Sequence, residues 1–162
     1  MQHADQGRGT DLDGRRLRVA LVQARFNAAI TDRLAAACRE ELERLGVAAD
    51  AILTVAVPGA LEIAVALQAL AEAEDHDALV AIGCVIRGET YHFELVANES
   101  AAGVTRVGLD HGIPVANAIL TVENEAQALA RAAPDGRDKG GEAVRACLAL
   151  VALHRKFGSS AA

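Results

Sequence analysis

His92 closes the run Arg87-Gly88-Glu89-Thr90-Tyr91-His92, at the point where a strongly apolar stretch gives way to a helical pattern. An imidazole in the first turn of a helix is a candidate proton-transfer group. It titrates near physiological pH, and the positive end of the helix favours its neutral, base-competent form. A lone His at a helix start is more often simply a solvated polar residue, and on the sequence alone that reading comes first. The backbone N–H groups of residues 87–90 can face an anion, helped by the helix dipole. Thr90 also reads as the ordinary N-cap of that helix; on sequence alone this reading comes first, and the two roles are compatible. Glu62, three residues after Gly59 at the start of another helix, offers a carboxylate that can accept hydrogen bonds from a polyol or simply complement the helix N-terminus. Arg131 can grip a phosphate through parallel hydrogen bonds or stand in solvent, and Lys139 has the same two readings. Aromatics make up only 2% of the chain, yet Phe26, Tyr91 and Phe93 fall beside these segments. They suit a ring-binding surface, and they suit capping of a sheet end just as well.

Other chemistries are absent from the pattern. Residues 83–88 lack the Gly-Lys-Ser/Thr ending of a nucleotide-binding loop, and no Gly-x-Gly-x-x-Gly follows a strand. Five histidines and three cysteines show no ligand spacing, so no metal is expected. Cys38, Cys84 and Cys147 sit among Ala, Val and Leu and read as reduced packing residues of a cytoplasmic protein. His3, His76, His111 and His154 lie in a tail, in a turn or toward helix ends, and have weaker claims.

The elements that must position these groups follow from periodicity. Strands are expected at 17–24, about 51–57, 78–86 and 115–120. Helices are expected after Asn27 up to a stop at Gly46, from Ala60 to about Leu70, from about His92 to His111, at 124–132, and from about Gly141 to Phe157. The third strand, Ala78-Leu79-Val80-Ala81-Ile82-Gly83-Cys84-Val85-Ile86, has the composition of a strand buried on both faces. Strand and helix alternate four times with short connections, which predicts one α/β domain: a three-layer α/β/α sandwich around a four-stranded parallel sheet. Residues 1–16 and 158–162 read as polar tails flanking a single domain at 17–157. In such a sheet ligands bind beyond the carboxyl ends of the strands. That rule selects residues 25–27, 58–62, 87–92 and 121–124.

At 162 residues and 52% hydrophobic, the chain can bury a full core. Its net charge of −6 and scarcity of aromatics argue against nucleic acid as a partner. No apolar run reaches a membrane span, and the start lacks the basic-then-apolar order of a signal peptide. A receiver domain of signalling systems would need acidic residues after the first strand and an Asp after the third; Ala24-Arg25 and Ile86-Arg87 stand there instead.

Taken together, Ala24-Arg25-Phe26-Asn27, Val57-Pro58-Gly59-Ala60-Leu61-Glu62-Ile63, residues 82–93 with Arg-Gly-Glu-Thr-x-His-Phe, Ala118-Ile119-Leu120-Thr121, residues 125–132 and Asp138-Lys139-Gly140 resemble the lumazine synthase family, in family order across about 17–157. The resemblance implies a flavodoxin-like fold assembled as a pentamer or a multiple of it. It implies condensation of 5-amino-6-ribitylaminouracil with 3,4-dihydroxy-2-butanone 4-phosphate, giving 6,7-dimethyl-8-ribityllumazine, phosphate and water, the penultimate step of riboflavin biosynthesis. These are acid–base and condensation steps without redox chemistry, so no cofactor is expected.

In family terms Phe26 stacks on the pyrimidine, and Ala60, Leu61 and Glu62 border the ribityl chain. Cys84, Val85 and Ile86 line the heterocycle's slot. Glu89 and Thr90 receive the butanone phosphate, Arg131 supplies the countercharge, and His92 transfers protons. Asn117, Arg131 and Lys139 would reach the site from a neighbouring subunit. Riboflavin synthase is an implied partner. Two departures stand out. Position 117 is often aromatic in the family, and residues 134–139 lack the Gly-Asn-Lys-Gly type of turn found in capsid-forming members, which points to a pentamer. With Asn117 in place of an aromatic, a flavin or lumazine carrier without catalysis is the alternative.

Overall fold

Each apolar run becomes a strand and each helical pattern a helix: β1 (Val19–Ala24), α1 (Ala28–Arg44), β2 (Ile52–Val57), α2 (Ala60–Glu72), β3 (Ala78–Ile86), α3 (His92–His111), β4 (Val115–Val122), α4 (Glu125–Ala132) and α5 (Lys139–Gly158). The computed structural model describes residues 11–158. The expected tails fall largely on 1–10 and 159–162, outside the described residues. Among residues that are described, the Gly14 N–H donates to the Leu45 carbonyl (2.8 Å), and Leu17 is buried.

The strands are all parallel, in the order β2-β1-β3-β4. Val19 lies opposite both Ile52 and Ala78, and Ile86 opposite Val122. Strand alternation sends Val19, Leu21, Val80, Ile82, Ala118 and Leu120 into a core closed by α1, α4 and α5. Ala20, Val22, Leu79 and Ala81 enter a second core under α2 and α3. The sheet is therefore the middle of three layers, as its sequence pattern predicts. β3 is buried along all but its last residue, as its continuous apolar run requires.

Helix ends follow local chemistry. After α1, Gly46 takes φ +100°, while the Gly46 N–H donates to the Glu43 carbonyl and the Val47 N–H to that of Leu42 (3.0 Å each). That pair of bonds is the Schellman stop expected from a glycine there. α1 and α5 pack closely at Gly140, where a Cβ would come 2.8 Å from the Leu34 carbonyl oxygen. Three boundaries differ from the sequence reading. A 3₁₀ turn at Ala49–Ala51 precedes β2. β4 continues through Thr121 and Val122, which pair with Val85 and Ile86. α5 begins at Lys139 rather than Gly141, because Asp138 caps it by accepting from the Gly141 N–H (3.0 Å). Asp-Lys-Gly-Gly carries so little helix propensity that the cap was hidden.

Candidate active site

The chain runs from β1 outward to β2, then returns across β1 to place β3 on its other side. The carboxyl ends of β1 and β3 are thus the point where the winding reverses, and the loops diverge there to leave a crevice. On one side stands the β1–α1 loop. The Arg25 and Phe26 N–H groups donate to the Val57 and Pro58 carbonyls (2.8 and 3.1 Å), so this loop extends the pairing toward the start of α2. Phe26 is 71% exposed, an apolar ring held in the open at the crevice edge.

Asn27 sets that ring's place. Its backbone is left-handed (φ 58°, ψ 46°), a conformation that Asn tolerates better than most residues, and its side chain does not cap α1. Instead Nδ2 donates across the reversal to the Cys84 carbonyl oxygen (2.9 Å). Beside Phe26, Ala60 is buried at the start of α2, while Leu61 and Glu62 are exposed. One Glu62 carboxylate oxygen accepts from the Gly59 N–H (2.9 Å). A carboxylate can accept several hydrogen bonds, so this tether orients Glu62 without exhausting it.

The other wall comes from β3. Cys84 and Val85 are buried in opposite cores, and Ile86 is half-buried at the rim. Gly88, Glu89, Thr90, Tyr91 and His92 are all exposed. The expected N-cap role of Thr90 is corrected here. Tyr91 occupies the cap position of α3 with helical φ/ψ, and no side chain caps the helix. The chain turns into the helix one residue later than a Thr N-cap would require. The N-terminal amides of α3 therefore face the crevice end of the sheet without a capping side chain, the arrangement in which a helix start can take an anion.

Arg87 braces this loop. Its Nε donates to Glu123 (2.7 Å), its Nη1 to Glu94, and its guanidinium lies 4.2 Å from the Phe93 ring centroid. The pairing with Arg87 holds the Glu94 carboxyl below the usual carboxylate range.

The segments that carry Phe26, Glu62 and His92 thus follow the carboxyl ends of β1, β2 and β3, three neighbouring parallel strands. Asn117, Arg131 and Lys139 do not join them. Asn117 is exposed on the edge strand β4, where its Oδ1 accepts from the Ile119 N–H (2.8 Å). Arg131 donates to the Gln127 carbonyl of its own helix (2.9 Å), and Lys139 pairs with Glu142. None of the three has a hydrogen bond or ion pair to Phe26, Glu62 or the loop at 88–92 among the described residues. Sequence reasoning passed over Asn27 and Arg87. The signal for Asn27 was an Asn in the short connection between β1 and α1, a residue type that visits the left-handed conformation more readily than most.

A cavity of about 620 Å³ opens at the opposite end of the sheet, where His76, His111 and His154 meet Glu72 and Asp77. The chemistry favours the crevice over this cavity. The cavity lies where α2, α3 and α5 end, and helix C-termini repel anions. No group of its His and acidic residues has the arrangement of a metal site among the described residues.

Comparison with known proteins completes the picture. The family model described as 6,7-dimethyl-8-ribityllumazine synthase matches residues 16–155. A 6,7-dimethyl-8-ribityllumazine synthase of Leptothrix cholodnii is 69% identical over 144 residues, covering 89% of this chain and 94% of its own. Those of Methylibium petroleiphilum and Paracidovorax citrulli are each 64% identical, over 143 and 141 residues, covering 88% and 87% of this chain and 87% and 92% of theirs.

Proposed function

The chain belongs to the 6,7-dimethyl-8-ribityllumazine synthase family, and on that premise we infer that the crevice at the carboxyl ends of β1 and β3 is where its reaction takes place. The activity is lumazine formation, the penultimate step of riboflavin biosynthesis, from two small-molecule substrates. Phe26 stacks on the pyrimidine of the ribitylaminouracil. Ala60, Leu61 and Glu62 border its ribityl chain, with Glu62 accepting hydrogen bonds from the hydroxyls. Cys84, Val85 and Ile86 form the floor and rim of the ring slot. Glu89, Thr90 and the uncapped amides of α3 receive the butanone phosphate.

His92 moves protons as the aromatic amine adds to the ketone and water leaves to give an imine. Phosphate is then eliminated, and closure by the ribityl-bearing nitrogen expels a second water. Alignment of both reactants in one crevice can supply up to ~7–11 kcal/mol of the barrier lowering. A single acid–base group adds roughly 10²–10⁴-fold. The observation that carries this reading is the Asn27–Cys84 hydrogen bond, which ties the loop that carries Phe26 to the end of β3.

The site is completed between subunits of a cytoplasmic homo-oligomer, a pentamer or a multiple of it. Asn117, Arg131 and Lys139 arrive from the neighbour, and riboflavin synthase takes the product. Supporting this, those three side chains stand away from the crevice of their own chain. Leu61, Val65 and Leu95 also leave an apolar face exposed on α2 and α3. With its oxygen engaged by Ile119, Asn117 offers its amide NH₂ to a ring carbonyl of the pyrimidine.

Purified protein mixed with both substrates is expected to produce lumazine fluorescence and phosphate together. His92→Ala should slow turnover by roughly 10²–10⁴-fold while leaving residual activity. Arg131→Ala should raise KM chiefly for the phosphate-bearing substrate. Tight flavin binding without turnover would instead establish the carrier reading that Asn117 suggests, and wild-type rates in His92→Ala would remove the imidazole from the mechanism.

A further inference from the structure

We propose that Arg87 is the positioning residue of the anion-receiving loop, setting where residues 88–91 present the phosphate-bearing substrate without contacting it. This rests on the assignment of Glu89 and Thr90 to that substrate.

Arg87 follows the last residue of β3, and its N–H donates to the Val122 carbonyl (2.9 Å), so its backbone is held as an extension of the sheet. From this fixed root the side chain reaches past the loop in two directions. Nε donates to Glu123 at the end of β4 (2.7 Å), and Nη1 donates to Glu94 in the first turn of α3. The guanidinium lies 4.2 Å from the centroid of Phe93, also in that turn. One planar group therefore joins the strand before the loop, the helix after it and the neighbouring strand end.

The intervening residues have little else to hold them. All four are exposed, and no side chain caps α3. Among the described residues, the one hydrogen bond from this stretch is the long intrahelical bond from the Leu95 N–H to the Tyr91 carbonyl (3.4 Å). The two arms of Arg87 that are in use point at carboxylates, which separates its task from that of Arg131. Glu123 also directly precedes Asn124, whose Oδ1 accepts from the Gln127 N–H (3.0 Å) and caps α4. The same clamp thus fixes the loop relative to the start of α4. Half-exposed ion pairs of this kind contribute little to overall stability, so its loss should leave the fold standing while the loop moves. Lysine can keep the charge but cannot hold two carboxylates and stack on a ring at once.

Steady-state kinetics on the full chain decide the matter, with Arg87→Gln, Arg87→Lys and Glu123→Gln each assayed against both substrates. Binding of inorganic phosphate is followed separately by calorimetry. Arg87→Gln is expected to raise KM for the butanone phosphate by roughly ten- to a hundredfold, the effect of ångström-scale misplacement. KM for the ribitylaminouracil stays put, and phosphate binding weakens in parallel. Glu123→Gln should shift the same KM in the same direction by less, and Arg87→Lys should recover part of the loss. The proposal is overturned if Arg87→Gln and Glu123→Gln leave the phosphate-substrate KM unchanged. It is equally overturned if both KM values rise together with a fall in melting temperature, the mark of a general structural defect. A wild-type protein that binds phosphate but makes no lumazine, with binding weakened in Arg87→Gln, would sink the assigned reaction and leave the clamp intact.

Discussion

A side chain's burial decides what its chemistry can do, and the three cysteines make the point. Cys38 and Cys147 are fully buried, and burial pushes both thiols up to about 12, with Asp138 adding to the effect on Cys38. Cys84, at the floor of the crevice, is pushed up to about 11 by burial alone. The thiolate is the reactive form, so none of the three should act as a nucleophile. A chromogenic disulfide reagent at pH 8 should therefore find no reactive thiol in the native protein and three after denaturation. Rapid labelling of a native thiol would mean that Cys84 is reached from the crevice. Phe26 shows the opposite case: an apolar ring 71% exposed gains little from the fold it sits on and is free to meet a ligand or a neighbouring surface.

Between elements, the contact most dependent on charge joins α1 to α5. Glu41 accepts from Arg44 (2.7 Å to each oxygen) and from Arg145 (2.9 Å), and Arg145 also reaches Asp138 (3.2 Å). The hydrogen bonds from Arg44 first, then those from Arg145, hold the Glu41 carboxyl below its ordinary 4.5 against the opposing effect of burial. A depressed carboxylate stabilises the fold above its ordinary value, and that contribution is lost as pH falls through the lower, folded value. Glu41→Gln should therefore cost about 1–3 kcal/mol at pH 7, with the melting-temperature gap from wild type closing as pH drops below 4.5. A gap constant with pH would show that the carboxylate's charge is irrelevant. Elements were the most legible feature of the sequence, because periodicity reports which face is buried. β3 announced itself by nine apolar or small residues in a row, and Gly46 by its place after an amphipathic run. Features set by long-range geometry were hidden. The Asn27–Cys84 bond spans 57 residues and the Arg87–Glu123 bond 36, and no local pattern encodes such pairs. The cap of α3 was misplaced because Thr90 has the right chemistry one residue too early.

Across the molecule, the residues proposed for the reaction fall into two separate groups on the chain. Phe26, the loop at 88–91 and His92 follow the ends of β1 and β3, whereas Arg131 and Lys139 engage groups of their own helices and Asn117 a main-chain amide of its own strand. A shallow crevice open to solvent cannot exclude water from a condensation that expels it. The apolar face of α2 and α3, with Val65 72% exposed and Leu61 and Leu95 also bare, runs outward from the same crevice. Covering that face would both bury it and bring a neighbour's side chains to the open wall. Light scattering of the purified protein should accordingly give five times the 16.8 kDa chain mass, or a multiple of that assembly. Val65→Asp, which places a charge on an exposed position of the monomer, should leave the circular dichroism of the fold unchanged while dissociating the assembly. Activity should then fall with the assembled fraction and rise again with protein concentration, the outcome expected if a neighbouring chain supplies Arg131 by mass action. A monomer that turns over at the wild-type rate would show that each crevice is complete in itself.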